Sequence, residues 1–162
     1  MTEMVIRRAV RNDLPRIVEL FGQVDELHRD ALPWLFRKLD EPRPLEVLES
    51  FITDPDRTAL VATDLAGSPP AGVLFIMIRE LSKAPIICPA RVAEIDTLVV
   101  DRSSRRQGIG RGLVRAALHW AHDVRATRTE LGVYEFNEEA RIFWESMGFA
   151  SLFRRMCKHD VP

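Results

Sequence analysis

The sequence predicts a mixed α/β fold in a single domain, with helices packed on a mixed sheet over residues 1–162. Short apolar runs with strand-like alternation take turns along the chain with stripes at helical spacing. No Gly/Ser/Pro-rich linker, repeat or low-complexity stretch divides it, and the length suffices to bury a core without metal or disulfide help. Apolar residues make up 46% and charged residues 29%, an ordinary globular balance.

"MVIRRAV" (residues 4–10) reads as a first strand, and Asn12 or Asp13 is placed to cap a helix through Leu14, Ile17, Val18 and Phe21. From 22 to 44 the periodicity weakens around Pro33, Pro42 and Pro44, which predicts an irregular arm. "LEVLESFI" (45–52) is a short helix. "TALVATD" (58–64) and "AGVLFIMI" (71–78) are strands joined by the turn "LAGSPP", and "ARVAEIDTLVV" (90–100) is a long central strand. Leu113, Val114, Ala117, Leu118 and Ala121 stripe a further helix, and "TELGVY" (129–134) returns to strand. Asn137 caps a helix through Phe143 and Trp144 that Gly148 ends, and "FASLFRRMC" (149–157) reads as a last strand.

Between the central strand and the next helix lies "VVDRSSRRQGIGRGL" (99–113). Glycines that open a helix leave several backbone N–H groups converging under the positive end of its dipole, an arrangement that binds anions. Gly108 and Gly110 let a pyrophosphate approach bare main chain, and the arginines add charge-assisted contacts. A tight turn with solvated arginines is the competing reading. A P-loop is excluded, because Arg111 and Gly112 follow Gly110 where Lys and Ser or Thr are required. A dinucleotide-binding turn fits poorly: seven residues separate Val100 from Gly108, and Glu130 opens the following strand instead of closing it.

"RRQGIG" (105–110) resembles the R/Q-x-x-G-x-G/A signature of the GCN5-related N-acetyltransferases (GNAT family). "NEEARIFWESMGF" (137–149) is similar to that family's closing motif of Asn, Ala, an aromatic pair and Gly-Phe. The element order matches from about Met4 to Cys157. The resemblance implies the acyl-CoA N-acyltransferase fold, a central, mostly antiparallel sheet splayed at the fourth strand and flanked by helices. It implies acetyl-CoA as acetyl donor, with the backbone of Leu98, Val99 and Val100 pairing with the pantetheine arm. The Val99 amide would hold the thioester oxygen. Arg105, Arg106, Gln107, Gly108, Ile109, Gly110 and Arg111 would hold the pyrophosphate, their arginine side chains reaching toward the 3′-phosphate. Asn137 matches a residue near the pantetheine end of the cofactor, and helix capping is its alternative role.

Acetyl transfer requires a neutral amine, although a lysine-like amine has a pKa near 10.4, and a stabilised leaving thiolate. Glu94 and Asp96 sit two apart on one strand and so share a face. Glu94 lies eleven residues before Arg105, where histone-acetylating members of the family carry their glutamate. Glu94 is the leading base and Asp96 the second, each through water, unless they only flank the cleft or pair with Arg91. For the thiolate the family's usual tyrosine is replaced by Trp144, whose indole cannot donate a proton at neutral pH and instead packs on the cofactor arm. Either Tyr134, the only tyrosine, is the acid, or the thiolate leaves without one.

By the same resemblance residues 22–44 form one wall of the acceptor site. There Asp25, Glu26, His28 and Asp30 would attract a cationic amine, while Trp34 and Phe36 offer an apolar wall. The expected activity is N-acetyl transfer to a primary amine of a small molecule or protein by direct attack in a ternary complex. An acetyl-CoA-binding or sensing module is the alternative. His119 and His122, three apart on a helix, have no acidic or cysteine partner at ligand spacing, so no metal is expected. The net charge of −1 gives no field toward nucleic acid, and no apolar run approaches the roughly 20 residues of a membrane span. A homodimer is compatible with the chain. "MTEMVIRRAV" lacks the features of a secretory signal, and Cys88 and Cys157 read as buried free thiols, so a cytoplasmic protein is expected.

Overall fold

The computed structural model of the protein describes residues 4–40, 43–64, 68–81 and 85–158. They fall into two compact units, Met1–Gly132 and Val133–Pro162.

The first unit holds a five-stranded sheet in the order β1 (Val5–Arg8), β2 (Arg57–Thr63), β3 (Gly72–Leu81), β4 (Ala90–Val100) and β5 (Arg128–Leu131). Neighbours are antiparallel except β4 and β5, which are parallel. A parallel pair needs a crossover, and α3 (Ile109–Asp123) supplies it. Alternation along β2 and β3 sends Val61, Val73 and Phe75 to one face, where α1 (Leu14–Ala31) and α2 (Leu45–Thr53) cover them with Ile17, Leu20, Phe21, Leu48 and Phe51. Phe75 anchors this core, with Phe21 and Phe51 edge-on at 5.2 and 4.6 Å. Gly72 looks to the other face, where a side chain would stand 3.1 Å from Ile109 Cγ2 and 3.3 Å from Leu113 Cδ1, so its bareness lets the first turn of α3 sit against the sheet.

Several expectations need correction. The irregular arm is shorter than the weakened periodicity predicts. Helix α1 continues through Gly22 to Ala31, because Val24 packs on the core and outweighs the roughly 1 kcal/mol that a helical glycine costs. Asp13 sits at the N-cap of α1 without capping it, its carboxylate being taken by Arg7 and the Val10 N–H. The β2–β3 turn lies partly outside the described residues. Both cysteines are exposed, in stretches without regular structure.

The second unit carries α4 (Glu138–Ser146), capped by the Asn137 side chain on the Ala140 N–H at 3.1 Å and ended at Gly148 with φ of +91°. Trp144 is its core, 8% exposed and edge-on to Phe143 and Phe149. The predicted last strand is not one. Residues 150–158 pair with no strand, and Leu152, Phe153 and Met156 are exposed. A run of apolar residues specifies a strand only where an edge receives it.

Candidate active site

Strand β4 is paired on both sides over four of its eleven residues. The ladder to β5 begins at Val92↔Arg128 and stops at Ile95↔Leu131, while the ladder to β3 runs on to Gly72↔Val100. One edge of residues 96–100 therefore has no strand partner among the described residues. The Asp101 N–H donates to the Ala71 carbonyl at 2.8 Å, and two-residue alternation then turns the backbone groups of Val99 and Thr97 toward β3. Those of Leu98 and Val100 face the open edge. The Val99 amide, expected to hold a thioester oxygen, points the wrong way, and the open-edge N–H nearest it toward the strand centre belongs to Leu98.

A bulge sits beside this edge. Phe75 pairs with Thr97 and Ile76 with Ile95, which leaves Asp96 as the extra residue. The alternation that would put Glu94 and Asp96 on one face is thus interrupted between them. Glu94 pairs across the ladder with Met77, which packs on the α1/α2 core, so Glu94 lies on that face of the sheet. Asp96 accepts a hydrogen bond from the Thr97 hydroxyl at 2.9 Å, and its charge helps raise the pKa of Arg43, whose chief stabiliser is Asp25. Glu94 is held by Arg79 at 2.7 Å, not by Arg91, and Arg79 also grips Glu130 at 3.0 Å. Arg91 pairs with Asp56 and Glu80.

Beyond Val100 the chain makes a short 3-10 turn over Arg102–Ser104 and enters α3 through two left-handed residues, Arg106 with φ of +64° and Gly108 with φ of +82°. Left-handed residues set in such a turn aim successive N–H groups into one concavity. Gly108 is the N-cap of α3 and supplies no side-chain cap, and the first turn contains no acid. The first N–H to find an intrahelical acceptor is that of Gly112, on the Gly108 carbonyl at 3.0 Å. The amides of Ile109 and Gly110 lie ahead of that bond at the positive end of the helix, a geometry that suits an anion.

The GNAT acetyltransferase family model matches residues 21–149, well over half the chain. The protein belongs to the GNAT acetyltransferase family. It is an N-acetyltransferase, and the structure shares that family's mixed sheet. The mutant BH1408 protein from Bacillus halodurans aligns at 25% identity and a TM-score of 0.88, over 98% of this chain and 99% of that one. The aminoglycoside N-acetyltransferase AAC(6′)-Iy, solved with CoA, aligns at 17% identity and 0.74 over 98% and 95%. The aminoglycoside acetyltransferase meta-AAC0020, from an uncultured soil metagenomic sample, aligns at 20% and 0.68 over 98% and 96%. The last two show the fold alone. No curated protein sequence matches.

In this GNAT chain the acids expected to attract a cationic acceptor are already engaged. Asp25 holds Arg43 through both oxygens, Glu26 pairs with Arg102 at 2.7 Å, and Asp30 lies 3.7 Å from Arg29. His28 bonds the Val24 carbonyl at 2.9 Å and stands 5.1 Å from the Phe36 ring. Trp34, 55% exposed, is no core anchor. Arg43 and Arg79 went unpredicted, since each meets its acid across the fold.

In the second unit Asn137 is occupied as a cap, Trp144 is buried, and Tyr134 is half exposed and stacked on Phe136 at 5.9 Å. His119 and His122 do have an acidic neighbour, Asp123, at 3.5 and 3.8 Å, but all three are highly exposed. Among the described residues no three potential ligands converge on a metal position, and no helix is long and apolar enough to cross a membrane.

Proposed function

We propose that this acetyltransferase moves an acetyl group from acetyl-CoA to a primary amine by direct attack within a ternary complex. The carrying observation is the adjacency of two features in one stretch of chain: the open edge of β4 and the uncapped N-terminus of α3. The left-handed Arg106 and Gly108 and the acid-free first turn fit a pyrophosphate, and Arg105, Arg106 and Arg111 bring the positive charge. The backbone of Leu98 and Val100 is oriented to pair with the amides of a pantetheine arm. Bound there, acetyl-CoA supplies the thioester carbon that a neutral amine attacks, with departure of the thiolate.

The Leu98 N–H donates to the thioester oxygen as negative charge develops, a role usually worth a few kcal/mol. Glu94, anchored by Arg79, takes the ammonium proton through water, with Asp96 as the second base. The indole of Trp144 cannot protonate the thiolate, so it leaves without a protein acid unless Tyr134 supplies the proton. His28, Trp34 and Phe36 stand on the acceptor side.

The test is thiol release from acetyl-CoA across a panel of primary amines. Amine-dependent release supports transfer. Binding of acetyl-CoA without release by any amine would replace it with a binding or sensing module.

A further inference from the structure

One face of α1 is stitched to the loop that leads into α3. Asp101, directly after β4, has a side chain only 13% exposed. Its Oδ1 accepts from the Ser103 N–H at 2.9 Å and the Ser103 hydroxyl at 2.6 Å. Its Oδ2 accepts from Gln23 Nε2 at 3.2 Å and from the Arg16 guanidinium. Gln23 closes the ring, its Oε1 accepting the Arg102 N–H at 3.1 Å, and Arg102 Nη2 reaches Glu26 one turn on at 2.7 Å. Arg16 also donates to the Pro70 carbonyl at 3.2 Å, which fixes it to the sheet side of the same corner. These donors, the Ser103 hydroxyl first, hold the Asp101 carboxyl far below the ordinary range, so it is an anion at every working pH.

A carboxylate so near an anion-binding turn is a liability by itself, and Arg16 cancels it where it stands. What the arrangement gains is a fixed loop: the only amide carboxamide in the cluster bridges a side chain and a main-chain N–H of adjacent residues. We infer that Gln23, with Asp101 and Arg16, is a positioning clamp that holds the cofactor loop in its binding conformation. This rests on reading that loop as the pyrophosphate site. A preorganised loop has less conformational freedom to lose on binding, so the clamp acts on cofactor affinity and not on the chemical step.

The test is Gln23→Met, which keeps the length of the side chain and removes both hydrogen bonds. Calorimetric titration with CoA should show binding about tenfold weaker, equivalent to about 1.4 kcal/mol. KM for acetyl-CoA should rise by the same factor, with kcat at saturation within about twofold and faster amide exchange at residues 102–104. Gln23→Asn, which stays polar but is too short to span both partners, should give the same split. Folded variants that bind CoA within twofold of wild type overturn the clamp, as does a loss of kcat with unchanged KM. Failure of the wild type itself to bind CoA overturns the underlying reading of the loop instead.

Discussion

The Arg79 guanidinium grips the Glu94 carboxylate at 2.7 Å, so the base proposed for acetyl transfer is held from the neighbouring strand. If Arg79 acts only through Glu94, the two are coupled and their substitutions are not additive. Glu94→Gln is expected to lower kcat at least tenfold, most severely at low pH, where the acceptor amine still carries its proton. Arg79→Gln should cost less, and the double variant should match Glu94→Gln alone. Rate measurements over pH check this, and an unchanged profile in Glu94→Gln would transfer the role to Asp96.

Gly108 offers a separation of backbone strain from charge. At φ of +82° a side chain is strained, yet nothing stands within 4 Å of where its Cβ would be. Gly108→Asn, which tolerates the left-handed region, should keep CoA affinity within about threefold. Gly108→Asp, of the same shape but anionic, should lose more than about thirtyfold in calorimetry. Equal affinities would remove the anion site.

Gly72→Ala tests the seating of α3. The added Cβ would lie 3.1 Å from both Ile109 Cγ2 and the Val99 carbonyl, and the second of these is main chain and cannot rotate away. A loss of about 1–3 kcal/mol is expected, seen as a fall of several degrees in Tm.

Acid stability should depend on Asp13. Hydrogen bonding to Arg7 first, then to the Val10 N–H, holds its carboxyl below the ordinary value despite burial. A depressed folded pKa contributes stability above the unfolded value, near 3.9, and that contribution is lost as pH falls toward the folded one. Asp13→Asn should therefore lower stability at pH 7 by about 2–3 kcal/mol, seen as a clear fall in Tm, with the gap to wild type closing below about pH 4. A gap that does not vary with pH would assign the effect to packing.

Local pattern carried most of the fold. The central strand was legible at 90–100 because β-rich runs and turn residues bound it, and β4 occupies Ala90–Val100. The glycine turn was legible because a residue without a Cβ adopts the left-handed conformation freely, as Gly108 does. What was not legible depends on partners distant in sequence. The bulge at Asp96 is set by the register with β3, Glu94 finds Arg79 across that ladder, and Asp25 finds Arg43 across a connection. The stripe of Arg16, Gln23 and Glu26 was present at helical spacing, but reading the helix as ending near Gly22 hid it.

Trp144 stands where the family usually has tyrosine, and its burial between Phe143 and Phe149 makes it first a packing residue. Trp144→Phe should then cost little, whereas Trp144→Ala should lose about 3–5 kcal/mol through the cavity it opens. Chemistry is separated from packing by Trp144→Tyr and Tyr134→Phe made in parallel. If thiolate protonation limits turnover and no phenol supplies it, Trp144→Tyr raises kcat. If Tyr134 is the acid, Tyr134→Phe lowers kcat above tenfold, about 1.4 kcal/mol of barrier. We expect neither: kcat within about threefold in both variants, measured at saturating acetyl-CoA, because the coenzyme A thiolate departs without a protein acid. A tenfold loss in Tyr134→Phe would place the acid at Tyr134, and a rise in Trp144→Tyr would show that this site runs without the proton donor its relatives use.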